Sequence, residues 1–443
     1  MRPEKGQATL LAVMVIAIIV ILGTAGLTLA TYSKRAASSS ADGTRAYYAA
    51  EAGVERAIAQ LKVDPLWRDG FTNVPFGGGT IESVVLTELS RTAAGVQVKI
   101  ESTGKYGKAR KKVEAQVTVS YDPFISYPGG SQGGGVNIAG KGSNDDLTIT
   151  SSTTVIGDSN HPTNLVFGGR GPASPSELKI EATSKDRPVV YGNVYTRGNV
   201  NVTVPGGQSG SKGGSTAVVG DVWANGTITL SSSSAIQGVY HENAGLNIPH
   251  FPASIDPTDA VKRQQFIDYY TKVAQSYGSG HYFSGDHSFT SAELQNMNGV
   301  YFVNGKATIA QRCRDYAGRA TIVAATYIEL DNNAELQTSD PAAVRGLLSL
   351  QDTFMRGNNV VDGVILCGDT LCFNGSATTR GAIATWGIGV DSSEQGGHRW
   401  QGTGGCCHRR SWDVKLLYDA AIFLLYPPGL PYTVKVDYWK QVS

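Results

Sequence analysis

The 443-residue sequence is poor in charged residues, and the charges it has are balanced. Only 17% of the residues are charged, and 38 basic against 37 acidic residues give a formal net charge of +1. A chain with so small a net charge has no overall electrostatic attraction to nucleic acid or another polyanion. The sequence also lacks a phosphate-binding loop, a dinucleotide fingerprint and a nucleophile elbow. These absences argue against the common nucleotide-dependent and hydrolytic enzyme classes.

Cysteine is absent from the first 312 residues. The five cysteines are Cys313, Cys367, Cys372, Cys406 and Cys407. Their number is odd, so at least one thiol stays unpaired or bonds to another chain. Cys367 and Cys372 flank a Gly-Asp pair, which makes them a candidate disulfide across one turn, or else two separate buried thiols.

Proline is absent between Pro3 and Pro65, and charge is absent from residues 10–29. Roughly 20 apolar residues in a helix cross the hydrocarbon core of a bilayer. We therefore predict one helix over residues 7–62, transmembrane at 10–29 and amphipathic at 30–62. In the first half of this helix, the residues that we expect to contact the membrane and later the filament are Leu10, Leu11, Val15, Ile18, Ile21 and Leu27. A cleavable signal peptide ending near Ala30 is the alternative, although its apolar core would span only about 7–15 residues.

The second half of this helix carries an apolar stripe. Tyr47, Ala50, Val54, Ile58 and Leu61 recur at steps of three and four, which is the pattern of a helix with one face packed on a domain. We expect this half to lie against a soluble domain.

The rest of the chain has the composition of a β protein. There are 54 glycines, many of them beside Ser, Thr and Asn. Residues 63–79 contain two prolines and three consecutive glycines and predict a loop. Alternating apolar residues at 96–100 and 113–119 predict two half-buried strands of a small sheet domain, 63–122, packed on the helix. A Gly-rich linker is expected at 123–135.

Irregular repeats follow the linker. Segments beginning at Gly192, Gly220 and Gly299 share a second glycine six positions later, and a looser copy begins at Gly363. Stacked units of this kind bury a core that none of them buries alone. We expect residues 136–443 to form a right-handed parallel β-helix, or solenoid, with a helical insertion at about 250–298. A β-sandwich is the alternative.

The N-terminal region resembles the PilX-type minor pilins of type IV pilus systems. A short basic leader ends at Gly6, an uncharged span follows, and residues 46–55 read Ala-Tyr-Tyr-Ala-Ala-Glu-Ala-Gly-Val-Glu. The positions that carry this motif are Tyr48, Ala50, Glu51, Gly53 and Glu55. The resemblance implies cleavage by prepilin peptidase between Gly6 and Gln7, methylation, a cytoplasmic leader, and a helix that leaves the membrane for a filament. Solenoid-bearing PilX-like proteins end in similar segments to Leu417-Tyr418-Asp419 and Tyr438-Trp439-Lys440.

One position departs from the pattern of the major pilins. Most of them carry Glu at the fifth mature position, where it is thought to pair with the terminal amine of a neighbour. Counted from Gln7, that position is Leu11. A carboxylate in hydrocarbon is costly without a partner. Its absence predicts a tip or initiating position and not a repeated place in the shaft, unless this subfamily simply tolerates Leu there.

Two further segments were weighed as binding sites. Arg399, Trp400, Arg409, Arg410 and Trp412 lie in a Gly-rich stretch and could stack on sugars or bases. A structural loop tied by a disulfide is the interpretation that we favour, and the adjacent Cys406 and Cys407 fit a zinc tetrahedron poorly. Asp145-Asp146 could offer oxygens to calcium, but the full calcium-loop pattern is missing, so we favour a solvated turn and expect no metal.

Together these patterns predict a minor subunit of a type IV pilus-like filament. It would sit in the cytoplasmic membrane with its N-terminus inside, and later on the cell surface. The implied partners are other pilin subunits, the pilus assembly machinery, prepilin peptidase and the membrane. The repeats carry Asn, Thr and Ser instead of clustered carboxylates, so we expect neither enzymatic activity nor a cofactor. A surface adhesin, a DNA-uptake pilin and a membrane-anchored carbohydrate-active β-helix are the alternatives.

Overall fold

The computed structural model describes residues 5–127, 135–139, 147–152, 154–168, 177–183, 188–205, 215–331, 333–389 and 414–442. Over these residues the chain is mostly β with one long N-terminal helix, which confirms that part of the expected fold class. The helices are α1 (Lys5–Val63), α2 (Pro123–Ser126), α3 (Ala260–Ser276), α4 (Ser291–Gln295) and α5 (Ala420–Phe423).

The strands of the first half of the chain are β1 (Phe71–Phe76), β2 (Gly79–Thr92), β3 (Gly95–Tyr106), β4 (Ala109–Tyr121), β5 (Val136–Ile138), β6 (Leu147–Thr150), β7 (Thr154–Ile156), β8 (Leu165–Phe167), β9 (Glu177–Glu181), β10 (Val190–Tyr191), β11 (Val194–Thr196), β12 (Asn199–Thr203), β13 (Val218–Val219), β14 (Val222–Ala224), β15 (Ile228–Leu230) and β16 (Tyr240–His241).

Those of the second half are β17 (Tyr282–Phe283), β18 (His287–Phe289), β19 (Gly299–Val303), β20 (Ala307–Ile309), β21 (Arg312–Arg314), β22 (Arg319–Ala324), β23 (Ile328–Leu330), β24 (Glu335–Gln337), β25 (Val344–Ser349), β26 (Thr353–Arg356), β27 (Asn359–Asn374), β28 (Ala377–Gly389), β29 (Val414–Leu417) and β30 (Tyr432–Val442).

A five-stranded antiparallel sheet packs on the second half of α1. Its order is β1-β2-β3-β4-β30. The expected strand at 96–100 is the first half of β3, and the one at 113–119 is the centre of β4; alternate residues of both strands are buried. Period-two alternation places one face of each strand on the helix and the other in solvent.

This sheet contains two strands that we did not expect. Residues 63–79, predicted as a loop, include the edge strand β1, where Pro75 is tolerated because an edge strand needs fewer ladder hydrogen bonds. The C-terminal strand β30, assigned in advance to the solenoid range 136–443, pairs antiparallel with β4 instead. Its register with β4 includes Val434 opposite Val119, so apolar matching joins chain segments that are far apart in sequence.

The remaining strands pair in parallel. One sheet contains 21 strands and another has the order β15-β12-β9-β6. Neighbouring strands lie in register so that apolar residues form continuous columns across the sheet. One column consists of Ile322, Leu347, Ile365, Ile383, Val136, Leu165, Val194 and Val222. All eight residues belong to a single buried core.

The order of strands in this column is not the order of the chain. The chain enters the stack at β5, which pairs with β28, and proceeds outward through β8, β11 and β14 to β16. It then crosses to the other end of the stack and returns through β19, β22, β25 and β27 to β28. Both connections to the antiparallel sheet therefore leave from the middle of the stack.

The crossing segment contains the helical insertion expected at about 250–298. Its main helix, α3, begins after Asp259, whose carboxylate accepts hydrogen bonds from the amides of Val261 and Lys262. Phe266 and Tyr270 are buried against Phe302 of β19, so the helix covers the outer face of that strand.

Glycines occupy one corner of the parallel stack because backbones approach closely there. Gly192 and Gly220 have φ near +150°, and a Cβ on Gly220 would lie 2.2 Å from the carbonyl oxygen of Gly192. Beside this column, the side chain of Asn193 accepts a hydrogen bond from the amide of Asp221 at 3.0 Å. The glycines that begin the first two sequence repeats, Gly192 and Gly220, therefore meet a steric requirement of the corner.

We expect Gly220→Ala to lower the free energy of unfolding by at least about 2 kcal/mol, because it adds both positive-φ strain and a backbone clash. The measurement is the midpoint of urea unfolding of the detergent-solubilised full chain. Gly285→Ala is the control, since no atom lies within 4 Å of a Cβ there, and it should change stability by less than about 0.5 kcal/mol. Equal effects of the two substitutions would contradict the packing described for the corner.

Candidate assembly helix and its docking sheet

The first half of α1 has no partner among the residues that the structure describes. The apolar residues Leu10, Leu11, Val15, Ile18, Ile21 and Leu27 are between 47% and 70% exposed. Among the described residues, α1 is the one helix long and apolar enough to cross a membrane. An apolar surface of this extent requires a non-aqueous partner, either lipid or other protein.

The threonine hydroxyls at positions 24, 28 and 31 of α1 are satisfied by the helix itself. The hydroxyls of Thr24, Thr28 and Thr31 donate to backbone carbonyls one turn earlier, at 2.7–2.9 Å. A segment without unsatisfied polar groups can enter hydrocarbon at low cost.

The second half of α1 packs on the antiparallel sheet through small residues. The buried residues of this face are Ala46, Ala49, Ala50, Gly53, Val54, Ala57, Ile58 and Leu61. They include four of the five stripe positions named from the sequence, and the fifth, Tyr47, is half-buried. The predicted amphipathic face is therefore the face that contacts the sheet.

Two glycines set the distance between helix and sheet. A Cβ on Gly53 would lie 2.2 Å from Ser102 Oγ, and one on Gly104 of β3 would lie 2.1 Å from the carbonyl oxygen of Ala46. The backbones of α1 and β3 thus approach more closely than any larger residue permits. This contact explains why the motif at 46–55 is rich in Ala and Gly.

The other motif positions face outward. Tyr48 and Glu55 are exposed, and Glu51 is half-buried. The carboxylate of Glu51, one turn later, raises the pKa of the Tyr47 hydroxyl. The motif therefore divides into buried residues that hold the sheet, Ala50 and Gly53, and residues available to a neighbouring molecule.

A largely buried ion pair joins the end of α1 to the parallel strands. Arg319 of β22 donates to Asp64 Oδ1 at 2.6 Å and to the carbonyl of Leu425 at 2.8 Å, and it also contacts the carbonyl of Tyr426. The carbonyl of Val63 accepts from the amide of Gly429 at 2.6 Å. Three distant segments of the chain meet at this one side chain.

An aromatic cluster extends the same junction. The ring of Tyr121, at the end of β4, stacks on Phe423 at 4.2 Å and on Tyr426 at 4.7 Å between centroids. Burial raises the pKa of Tyr121 well above its ordinary value, so its hydroxyl stays protonated and donates to the carbonyl of Phe423 at 2.8 Å. One buried apolar cluster runs from α1 through the antiparallel sheet to the outer face of the parallel strands.

Some of the other residues singled out from the sequence lie in the described part of the chain and some do not. Gly6 and Gln7 lie in the first turns of α1. Cys367 and Cys372 are not joined to each other: Cys367 is buried and donates to the carbonyl of Gln351 at 3.1 Å, while Cys372 lies further along β27. Both residues lie in β27, whose pairing with β28 shifts register between Cys367 and Thr370.

Two predicted sites lie outside the described residues. They are the Arg/Trp loop, with Arg399, Trp400, Arg409, Arg410 and Trp412, and the acidic pair Asp145-Asp146. Within the described ranges, no three His, Cys, Asp or Glu side chains gather as a metal site would require.

The sequence did not reveal the residues that join the two parts. Arg319, Asp64 and Tyr121 have no local pattern, because their contacts connect segments separated by up to about 300 positions. Gly104 carried a weak signal: it sits in the alternation of β3 where an apolar residue would otherwise face the helix.

Comparisons with known proteins do not assign a family. No family model matches the chain, and no curated protein matches it. Among solved structures, it is similar to the competence-associated pilin ComZ from Thermus thermophilus, at 13% identity and a TM-score of 0.36, covering 90% of this chain and 97% of that one. A likeness at that TM-score carries no argument about fold or function.

We expect Gly53→Ala to destabilise the chain by about 1–3 kcal/mol, because the added methyl group meets Ser102, Val84 and Ile81 of the sheet. Gly43→Ala is the matched control in the same helix, where the nearest atom is 3.8 Å away, and it should be neutral or stabilising by up to about 1 kcal/mol. Both are read from urea unfolding.

Ser102→Ala combined with Gly53→Ala should recover part of the loss, since Ser102 Oγ has no hydrogen-bond partner among the described residues. Additive losses in the double variant would show that the two residues do not touch.

Arg319→Met should lower stability by about 1–3 kcal/mol, because it leaves Asp64 and two carbonyls without their donor. Arg314→Met removes an exposed guanidinium from the buried carboxylate of Glu335, which keeps Arg312 beside it, so it should cost less than Arg319→Met. Hydrogen exchange measured by mass spectrometry should accelerate at residues 423–430 in the first variant alone. Unchanged exchange there would mean that Arg319 does not hold the junction.

Proposed function

We propose that this chain is a pilin-like subunit of a type IV pilus-like filament. The observation that supports it is the division of α1: an apolar first half without a partner among the described residues continues, without a break, into a second half fixed to a sheet. Such a helix can anchor the head in a membrane and later pack against the helices of neighbouring subunits. Both environments satisfy the same apolar surface.

In this proposal the chain is made as a precursor in the cytoplasmic membrane with its leader on the cytoplasmic side. Prepilin peptidase removes residues 1–6 by cleaving after Gly6, and Gln7 becomes the new N-terminus. The assembly machinery then moves α1 from the bilayer into the filament, where the partners are other pilin subunits. The proposal rests on the motif at 46–55 together with the close packing of its Ala and Gly residues on β3.

The subunit would be a minor one at the tip or at initiation of the filament. Leu11 offers no carboxylate to the terminal amine of a subunit above it, so a repeated place in the shaft lacks that ion pair. Quantitative mass spectrometry of sheared filaments should then find far fewer copies of this chain than of the shaft subunit.

The parallel strands would form a right-handed β-solenoid displayed outward by the head. In-register columns of apolar residues that enclose one buried core support this reading. We propose no catalysis by the chain: its role is assembly through α1 and display of the solenoid as a decorating module.

Gly6→Leu should leave a full-length precursor in the membrane, because the peptidase recognises the small residue at the cut. The measurement is the intact mass of the chain recovered from membranes and from the cell surface. Gly23→Leu is the control, since Gly23 lies in the apolar half of α1 with no atom within 4 Å of a Cβ. It should be processed normally.

Normal maturation of Gly6→Leu would refute the proposed processing. Loss of processing in both variants would point to a general insertion defect and would remove the support that Gly6 gives to the proposal.

A further inference from the structure

The turn between β3 and β4 concentrates positive charge. Residues 105–112 read Lys-Tyr-Gly-Lys-Ala-Arg-Lys-Lys, with five cations and no acid. We call this segment the basic hairpin. Arg110 pairs with Glu82 and Lys112 with Glu101, each at 2.6 Å. No carboxylate among the described residues pairs with the other three cations, Lys105, Lys108 and Lys111, of which the first two are exposed.

The basic hairpin points toward the apolar half of α1. Gly104 lies against Ala46 and Ala50, whereas Gly107, at the tip, lies near Asp42. Each step toward the tip therefore contacts an earlier residue of the helix. Tyr106 is fixed on α1 by Arg45, whose Nη1 donates to its hydroxyl at 2.5 Å and whose guanidinium lies 4.8 Å from its ring centre.

The edge of the head that faces the apolar half of α1, here called the rim, contains further groups. The C-terminal end of β30 is at this level, because Val442 pairs with Lys112. Lys34 and Arg35 are exposed on α1 between the basic hairpin and the apolar segment. Asp42 is the acid of α1 that lies nearest to the basic hairpin. The cations of the hairpin that pair with no described carboxylate, together with Lys34 and Arg35, outnumber it, so the rim has a net positive charge.

We infer that the basic hairpin binds the anionic phospholipid headgroups of the membrane that α1 crosses. This inference rests on the proposed membrane anchoring of α1. Charge complementarity supports it: clusters of Lys and Arg next to a membrane-spanning helix are attracted to anionic lipid surfaces. Continuity supports it as well, since the hairpin is attached to the helix that enters the same bilayer.

Contact between the basic hairpin and the lipid headgroups requires α1 to tilt from the membrane normal. Asp42 lies about 20 Å along α1 from Leu29, at about 1.5 Å per residue. At physiological salt, attraction between exposed charges is largely screened beyond about 8 Å. Membrane helices tilt by about 20° on average and by up to about 40°. A tilt toward the sheet lowers the hairpin to the headgroups and sets the orientation of the head before assembly.

The test uses the full chain reconstituted into phosphatidylcholine vesicles with and without phosphatidylglycerol. A donor dye attached at the C-terminus, beside Val442, reports on the rim, and an acceptor dye is carried on lipid headgroups. Energy transfer should be greater in the anionic vesicles, and the difference should vanish at about 1 M salt, where the screening length falls to about 3 Å.

The variant is Lys105→Gln with Lys108→Gln and Lys111→Gln, which should transfer equally in both lipids. The matched control removes three exposed cations elsewhere: Arg263→Gln, Lys272→Gln and Lys415→Gln, and it should behave as the parent chain. Circular dichroism verifies that both triple variants keep the fold.

Insertion with equal transfer in both lipids would overturn this inference and leave the proposed anchoring intact. Failure to insert into either vesicle would overturn the anchoring and the inference together. A third outcome is energy transfer that depends on the density of protein in the vesicle and not on phosphatidylglycerol. That result would indicate that the basic hairpin contacts a second copy of the chain, and it would overturn the inference.

Discussion

The contact between the backbones of α1 and β3 is the constraint on which the rest of the structure depends. Gly53 and Gly104 leave no room for a side chain between helix and sheet, and the alanines around them fill the interface. Because only the second half of α1 is held in this way, its first half extends beyond the head with its apolar surface uncovered. The same helix thus carries both the fixed part of the head and the segment available to lipid or to neighbouring subunits.

The large parallel region is tied to the head at more than one place. The chain leaves β4 for the middle of the stack at β5 and returns from the middle at β29 toward β30. Arg319, the rings around Tyr121 and a shared apolar cluster lie where these connections meet. A module joined in this way moves with the head, so a filament that carries the head would present the parallel region in a defined direction.

Much of this fold could be predicted because its signals are local. Alternation placed β3 and β4, a proline-free apolar run placed α1, and glycines at fixed spacing marked the corner that Gly192 and Gly220 occupy. The remainder depends on pairings between distant segments. Nothing near β30 specifies its place beside β4, and nothing in the repeats specifies that β5 follows β28 in space. The sequence left open whether Cys367 and Cys372 form a disulfide or stay separate, because spacing alone does not decide it, and in the structure they are not joined to each other.

The measurement that tests the central claim most directly is the N-terminal mass of the native chain recovered from sheared surface filaments. The account predicts a chain beginning at Gln7 in those filaments, with the apolar half of α1 intact, and the same mature form in the membrane. A chain that begins at Thr31 has lost the apolar segment and would be an ordinary secreted protein. That result, or the absence of the chain from filaments while it is abundant outside the cell, would contradict assembly through α1.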